Sequence, residues 1–81
     1  MILSRNQILK YLPHRDPFLF IDEVVSLEES NNIHAVMHVK NDSVFLEGHF
    51  PDNPIVPGVI LIEAMGQASG ILGFKTMDKT P

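Results

Sequence analysis

The sequence predicts an α+β domain with a strand hairpin and one long helix enclosed by other structure. Three observations carry this. Val59 to Phe74 is an apolar run too long for an ordinary strand, with apolar residues on nearly every side, as in a helix enclosed by other structure. Ile33 to Val39 alternates, with Ile33, Ala35, Met37 and Val39 on one face and His34, Val36 and His38 on the other. Phe18 to Val25 is rich in β-branched and aromatic residues, and the polar stretch Glu28 to Asn32 joins the two strands as a hairpin. Two strands cannot wrap a helix. The sheet needs others, from further copies or from a longer chain, and a sequence that stops at Pro81 straight after the helix favours the second.

The elements follow in order. Ser4 with Gln7 fits a capping box, and Ile8, Leu9 and Leu12 supply the apolar stripe of a short helix that ends before Pro13. Asp22 and Glu23 interrupt the first strand, so one edge or end of it meets water. Asn41 to Phe50 reads as a loop, with Val44, Phe45 and Leu46 as an apolar plug. Phe18, Phe20, Phe45 and Phe50 read as core. Pro57 stands at or just before the first turn of the long helix. Gly66, Gly70 and Gly73 lower helix propensity, which predicts compensating close packing against a neighbouring backbone. Lys75 and Lys79 place positive charge at the C-terminal end of the dipole.

Composition narrows the function. At 81 residues the chain is one domain at most, with a core that is marginal alone, and without cysteine it has neither disulfides nor thiolate metal sites. Self-association is the remaining source of stability. A net charge of −4 argues against general nucleic-acid binding. The N-terminus lacks the pattern of a secretory signal, and the apolar run is interrupted by Glu63 and Gln67 and falls short of a membrane span. The default reading is a soluble cytoplasmic protein. No internal repeat is visible.

The chemistry lies between Gly48 and Gln67. His49, in Gly48-His49-Phe50-Pro51, puts an imidazole at the end of an extended segment, and a loop with Pro54 and Pro57-Gly58 leads into the helix that carries Glu63. An imidazole and an enclosed carboxyl group are the ingredients of proton transfer at neutral pH. Backbone N–H groups at the helix start near Gly58 suit a developing oxyanion, although Gly58 also fits a plain turn. Glu63 and Gln67, four apart, share a helix face. A carboxyl group among Ile, Leu and Met must be paired, protonated or functional, and a salt bridge to Arg15 is the structural alternative to catalysis. His14 and Arg15 read as packing and ion-pair residues. His34 and His38 lack a third ligand at a supporting spacing and read as a solvated face, so no metal site is expected.

Leu12-Pro13-His14-Arg15, Pro17-Phe18-Leu19-Phe20-Ile21-Asp22, Gly48-His49-Phe50-Pro51, Pro54, Pro57-Gly58-Val59 and Ile62-Glu63-Ala64-Met65 with Gln67 together resemble the 3-hydroxyacyl-[acyl-carrier-protein] dehydratases of bacterial-type fatty acid synthesis. Glu63, where an aspartate would mark the FabA type that also isomerises, is similar to the FabZ type. The resemblance runs from about Leu12 to Phe74. It implies the hot-dog fold, with residues 1–81 as the N-terminal part of a single domain including the central helix. It also implies a site between two protomers: His49 from one and Glu63 from the other, Gly58 N–H on the thioester carbonyl, and Gln67 orienting Glu63. Phe50, next to His49, reads as core or as the lining of an acyl path. Acyl carrier protein is the implied partner, a homodimer or higher oligomer the implied assembly, and no cofactor is implied. Asp16, Asp52 and Gly66 depart from the family's common residues, which are an aromatic, a glycine and an alanine.

Two other functions fit parts of the pattern. In a hot-dog thioesterase Glu63 would activate water and His49 would position the carbonyl. A shortened hot-dog module that binds a partner or carrier without turnover would exploit an exposed sheet edge.

Overall fold

The computed structural model describes residues 2–78. Along the chain come helix α1 (Arg5–Ile8), strands β1 (Glu23–Glu28) and β2 (Asn32–Val36), a 3-10 turn (Val44–Leu46) and helix α2 (Gly58–Met77).

Helix α1 begins at the expected capping box. Gln7 N–H donates to Ser4 Oγ, and Ser4 N–H donates to Gln7 Oε1 at 2.8 Å. The chain then turns through Tyr11 and Leu12, and both join Ile8 in the core. Leu3 bridges antiparallel to Val24, a pairing that no sequence pattern announced.

The hairpin forms, but the first strand is displaced from the expected Phe18–Val25 to Glu23–Glu28. The reason lies in the hydrogen bonding. Phe18 and Phe20 place their backbone groups on the Gln67 side chain instead of a strand neighbour, and ladder pairing starts only where Asp22 N–H reaches Val36 O. Val25 is an extra residue between the pairs Val24↔Ala35 and Ser26↔His34, a bulge that breaks the alternation. The connecting turn places Ser30 at φ 62°, and Ser30 N–H donates to Thr76 Oγ1 (2.9 Å), tying the hairpin tip to the last turn of α2.

In β2, Ile33 and Ala35, with Met37 beyond the strand, pack against the core, whereas Val39 is exposed. The core proper is Leu3, Ile8, Tyr11, Leu12, Leu19, Phe20, Ile21, Val24, Ala64 and Ile71. Leu46 of the apolar plug is buried, and Phe45 meets Phe20 edge-on at 5.9 Å. Phe18 and Phe50 are exposed, against the expectation that both are core.

Helix α2 is not enclosed by the described residues. Ala64, Gln67 and Ile71 form its buried stripe, while Val59, Ile62 and Met65 on the other side stand 69%, 67% and 62% exposed. Two strands cover one face only, so the apolar residues on the opposite face have nothing to pack on among the described residues. The glycines differ from expectation for the same reason. A Cβ at Gly66 or Gly73 would meet open space, and one at Gly70 would meet a side-chain methyl of Leu12 at 3.2 Å, not a backbone. The helix ends at Asp78, a left-handed cap at φ 52°. Lys75 lies in the last turn as expected, and Lys79 lies outside the described residues. No described helix is long and apolar enough to cross a membrane.

Candidate active site

His49 sits on a loop that closes on itself. Phe50 and Asn53 exchange two backbone hydrogen bonds, Phe50 N–H to Asn53 O at 2.9 Å and Asn53 N–H to Phe50 O at 3.0 Å. Ile55 N–H donates to His49 O, and His49 Nδ1 lies 2.8 Å from Ile55 O. A carbonyl only accepts, so Nδ1 carries the proton and Nε2 of the neutral ring keeps a lone pair. The ring of Phe50 stacks on that of His49 at a centroid distance of 4.2 Å. One side of the imidazole is therefore covered by an apolar face.

Three residues after Pro54 the chain enters α2, with Pro57 as N-cap and Gly58 as first residue. The first helical hydrogen bond is made by Ile60, to Pro57 O, so the N–H groups of Gly58 and Val59 precede the ladder. Gly58 is exposed, with no neighbour near the position of a Cβ, and a ligand oxygen can approach its backbone directly.

Glu63 lies one turn further along. Its side chain is one-third exposed and not enclosed, because the adjoining ridge of α2 is bare. The salt bridge to Arg15 is not formed. The Arg15 guanidinium instead donates to Leu12 O and His14 O, both at 2.7 Å, since the carbonyls at the end of the α1 turn are nearer. The partners of Glu63 are Gln67, whose Nε2 donates to Oε2 at 2.9 Å, and His14, whose Nε2 lies 3.4 Å from the same oxygen.

Gln67 is 2% exposed, and its amide is fully used. Oε1 accepts from Phe20 N–H, and the two Nε2 protons go to Phe18 O and Glu63 Oε2, all at 2.9 Å. One side chain fixes both the Phe18–Phe20 segment and the acid.

The structure thus brings Glu63 to Gln67 and adds His14, a contact that no local spacing could reveal. It does not bring His49 to Glu63. Among the described residues no hydrogen bond or ion pair joins them. A cavity of about 430 Å³ lies elsewhere, around Arg5, Asp22, His38 and Phe45. A second, of about 320 Å³, is an apolar groove between β2 and α2 lined by Ile21, Ile33, Met37, Ala64 and Met65. No described group of three or more His, Asp or Glu side chains is arranged to hold a metal ion.

A family model described as the FabA-like domain matches residues 12–81. The chain belongs to the FabA-like family. The chain is 60% identical over 80 residues to the 3-hydroxyacyl-[acyl-carrier-protein] dehydratase FabZ of Saccharophagus degradans, covering 99% of this chain and 55% of that protein. It is 57% identical to the protein of that name from Teredinibacter turnerae, with the same coverage of both. The Shewanella denitrificans protein, also of that name, is 51% identical over 94% of this chain and 50% of its own length. The chain spans about half the length of these FabA-like relatives, and a two-stranded sheet beside a long helix fits a part of a hot-dog domain.

Proposed function

We propose that this chain carries the acid and the base of a 3-hydroxyacyl-[acyl-carrier-protein] dehydratase acting in fatty acid biosynthesis in the cytoplasm. The observation that carries the reading is the state in which His49 is held: Nδ1–H is spent on Ile55 O, and Nε2 is left as a base. The names of the FabZ relatives support the substrate.

In the reaction, His49 Nε2 removes the proton from C2 of the acyl thioester. The electron pair moves toward the thioester carbonyl, whose oxygen takes up negative charge in front of Gly58 N–H. Protonated Glu63 gives its proton to the C3 hydroxyl, the C3–O bond breaks, and water leaves. The product is the trans-2-enoyl thioester. No electron acceptor is required, and each proton has an origin and a destination. Phe50, stacked on His49, gives the acyl chain an apolar surface next to the base.

His49 and Glu63 of one site come from two protomers in this reading, supported by the bare apolar ridge of α2, which a second copy can cover. The active unit is then a dimer or a higher oligomer built from dimers.

Hydration of an enoyl thioester, followed by loss of enoyl absorbance, tests the assignment. His49→Ala and Glu63→Gln should each reduce turnover by at least about a hundredfold. Full turnover in both variants would refute it, and release of free thiol without any enoyl product would make the protein a thioesterase.

A further inference from the structure

We infer that His14 is a positioning residue for Glu63, and that together with Gln67 it leaves Oε1 as the oxygen that delivers the proton. The inference rests on the dehydratase reading for its chemistry and on the structure for its geometry.

His14 Nε2 lies 3.4 Å from Glu63 Oε2, longer than a formed hydrogen bond but within the looser range of catalytic contacts before substrate binds. The other ring nitrogen, Nδ1, is buried and has no hydrogen-bond partner. Nδ1 lacks a partner in either tautomer, but only a proton on Nε2 sets a donor toward the carboxyl oxygen 3.4 Å away, so the ring's single proton is assigned to Nε2. The ring is also held in place. Arg15 binds the carbonyls of Leu12 and His14, and the His14 ring lies nearly parallel to that of Phe18, with centroids 6.4 Å apart. Phe18 O is itself bound by Gln67.

Both donors converge on one oxygen. Gln67 Nε2–H already occupies Oε2, and His14 Nε2–H approaches the same atom, so neither is directed at Oε1. A carboxylic acid held by two donors at Oε2 carries its own proton on Oε1. When Oε1–H passes its proton to the C3 hydroxyl and water leaves, negative charge appears on the carboxylate, and the two donors at Oε2 stabilise the charge as it forms. Such a contact strengthens during the reaction and acts on kcat more than on KM.

The test compares His14→Phe, which keeps a ring but no donor, with His14→Gln, whose amide N–H reaches about as far as Nε2. The expected result is a kcat about tenfold lower in His14→Phe with KM within about twofold, and recovery to within about threefold of wild type in His14→Gln. An unchanged kcat in His14→Phe, a change in KM alone, or no recovery in His14→Gln would overturn the inference. A second measurement needs neither variant nor turnover: ¹⁵N spectra of the wild-type imidazole should show His14 neutral with Nε2 protonated and Nδ1 bare. The opposite tautomer would overturn the inference whatever the kinetics. Absence of dehydration in the wild type would remove the dehydratase reading, while the spectra would still decide the His14–Glu63 contact.

Discussion

Phe20 and Gln67 are joined across 47 residues by a 2.9 Å hydrogen bond from the backbone N–H of one to the side-chain oxygen of the other. A buried side chain thereby stands in for a missing strand neighbour. The amide that completes the backbone hydrogen bonding near Phe18 also holds the Glu63 carboxyl group, so fold and site share one residue.

Gln67→Leu should therefore cost about 2–4 kcal/mol in urea denaturation, since it strips partners from Phe20 N–H and Phe18 O without returning them to water. Gln67→Glu should fall between this variant and wild type. It keeps an acceptor for Phe20, loses the donors, and sets a second carboxyl group against Glu63.

The glycines of α2 separate into two kinds. Gly66→Ala and Gly73→Ala add a methyl group in open space, and each should stabilise the chain by about 0.5–1 kcal/mol. At Gly70 the same methyl group presses on Leu12, so the gain in helix propensity should be cancelled and the change should stay within about 0.5 kcal/mol of zero. Thermal or urea unfolding of the three variants distinguishes the sites.

Arg5 joins α1 to the segment before β1. It bridges Asp16 and Asp22 and donates to Leu19 O at 3.0 Å. Arg5→Met should lower stability by about 1–2 kcal/mol, discounted for the part of the side chain in water. Arg5→Lys should recover less than half of that, because an ammonium group cannot reproduce the forked geometry. Urea midpoints at low and high salt would check both, with the smaller difference at high salt.

Subunit mixing addresses the proposed shared site. His49→Ala and Glu63→Gln protomers, each inactive, should regain up to about a quarter of wild-type activity after equal mixing and random exchange. Half of the dimers are then mixed, and each has one intact site out of two. No recovery after verified exchange would place both residues of a site in one chain.

Much of this was legible in the sequence because the signals are local. The capping box at Ser4, the alternation around Ile33 and the helix after Pro57 each follow from neighbours a few residues apart. Phe18 to Ile21 misled because β-branched and aromatic residues fit any half-buried extended segment, and what decides their pairing is Gln67, far along the chain. His14 was hidden for the same reason. The exposure of Phe50 and of one face of α2 was concealed differently: apolar content states that a residue seeks cover, not that this chain provides it.

The bare ridge of Val59, Ile62 and Met65 also has a thermal consequence. Whatever surface covers these side chains releases their hydration water, and near 25 °C such burial is driven by entropy and lowers the heat capacity. Its grip therefore slackens as temperature falls. Contacts made on this face of the helix will be weakest in the cold, so a preparation kept on ice offers its least associated form.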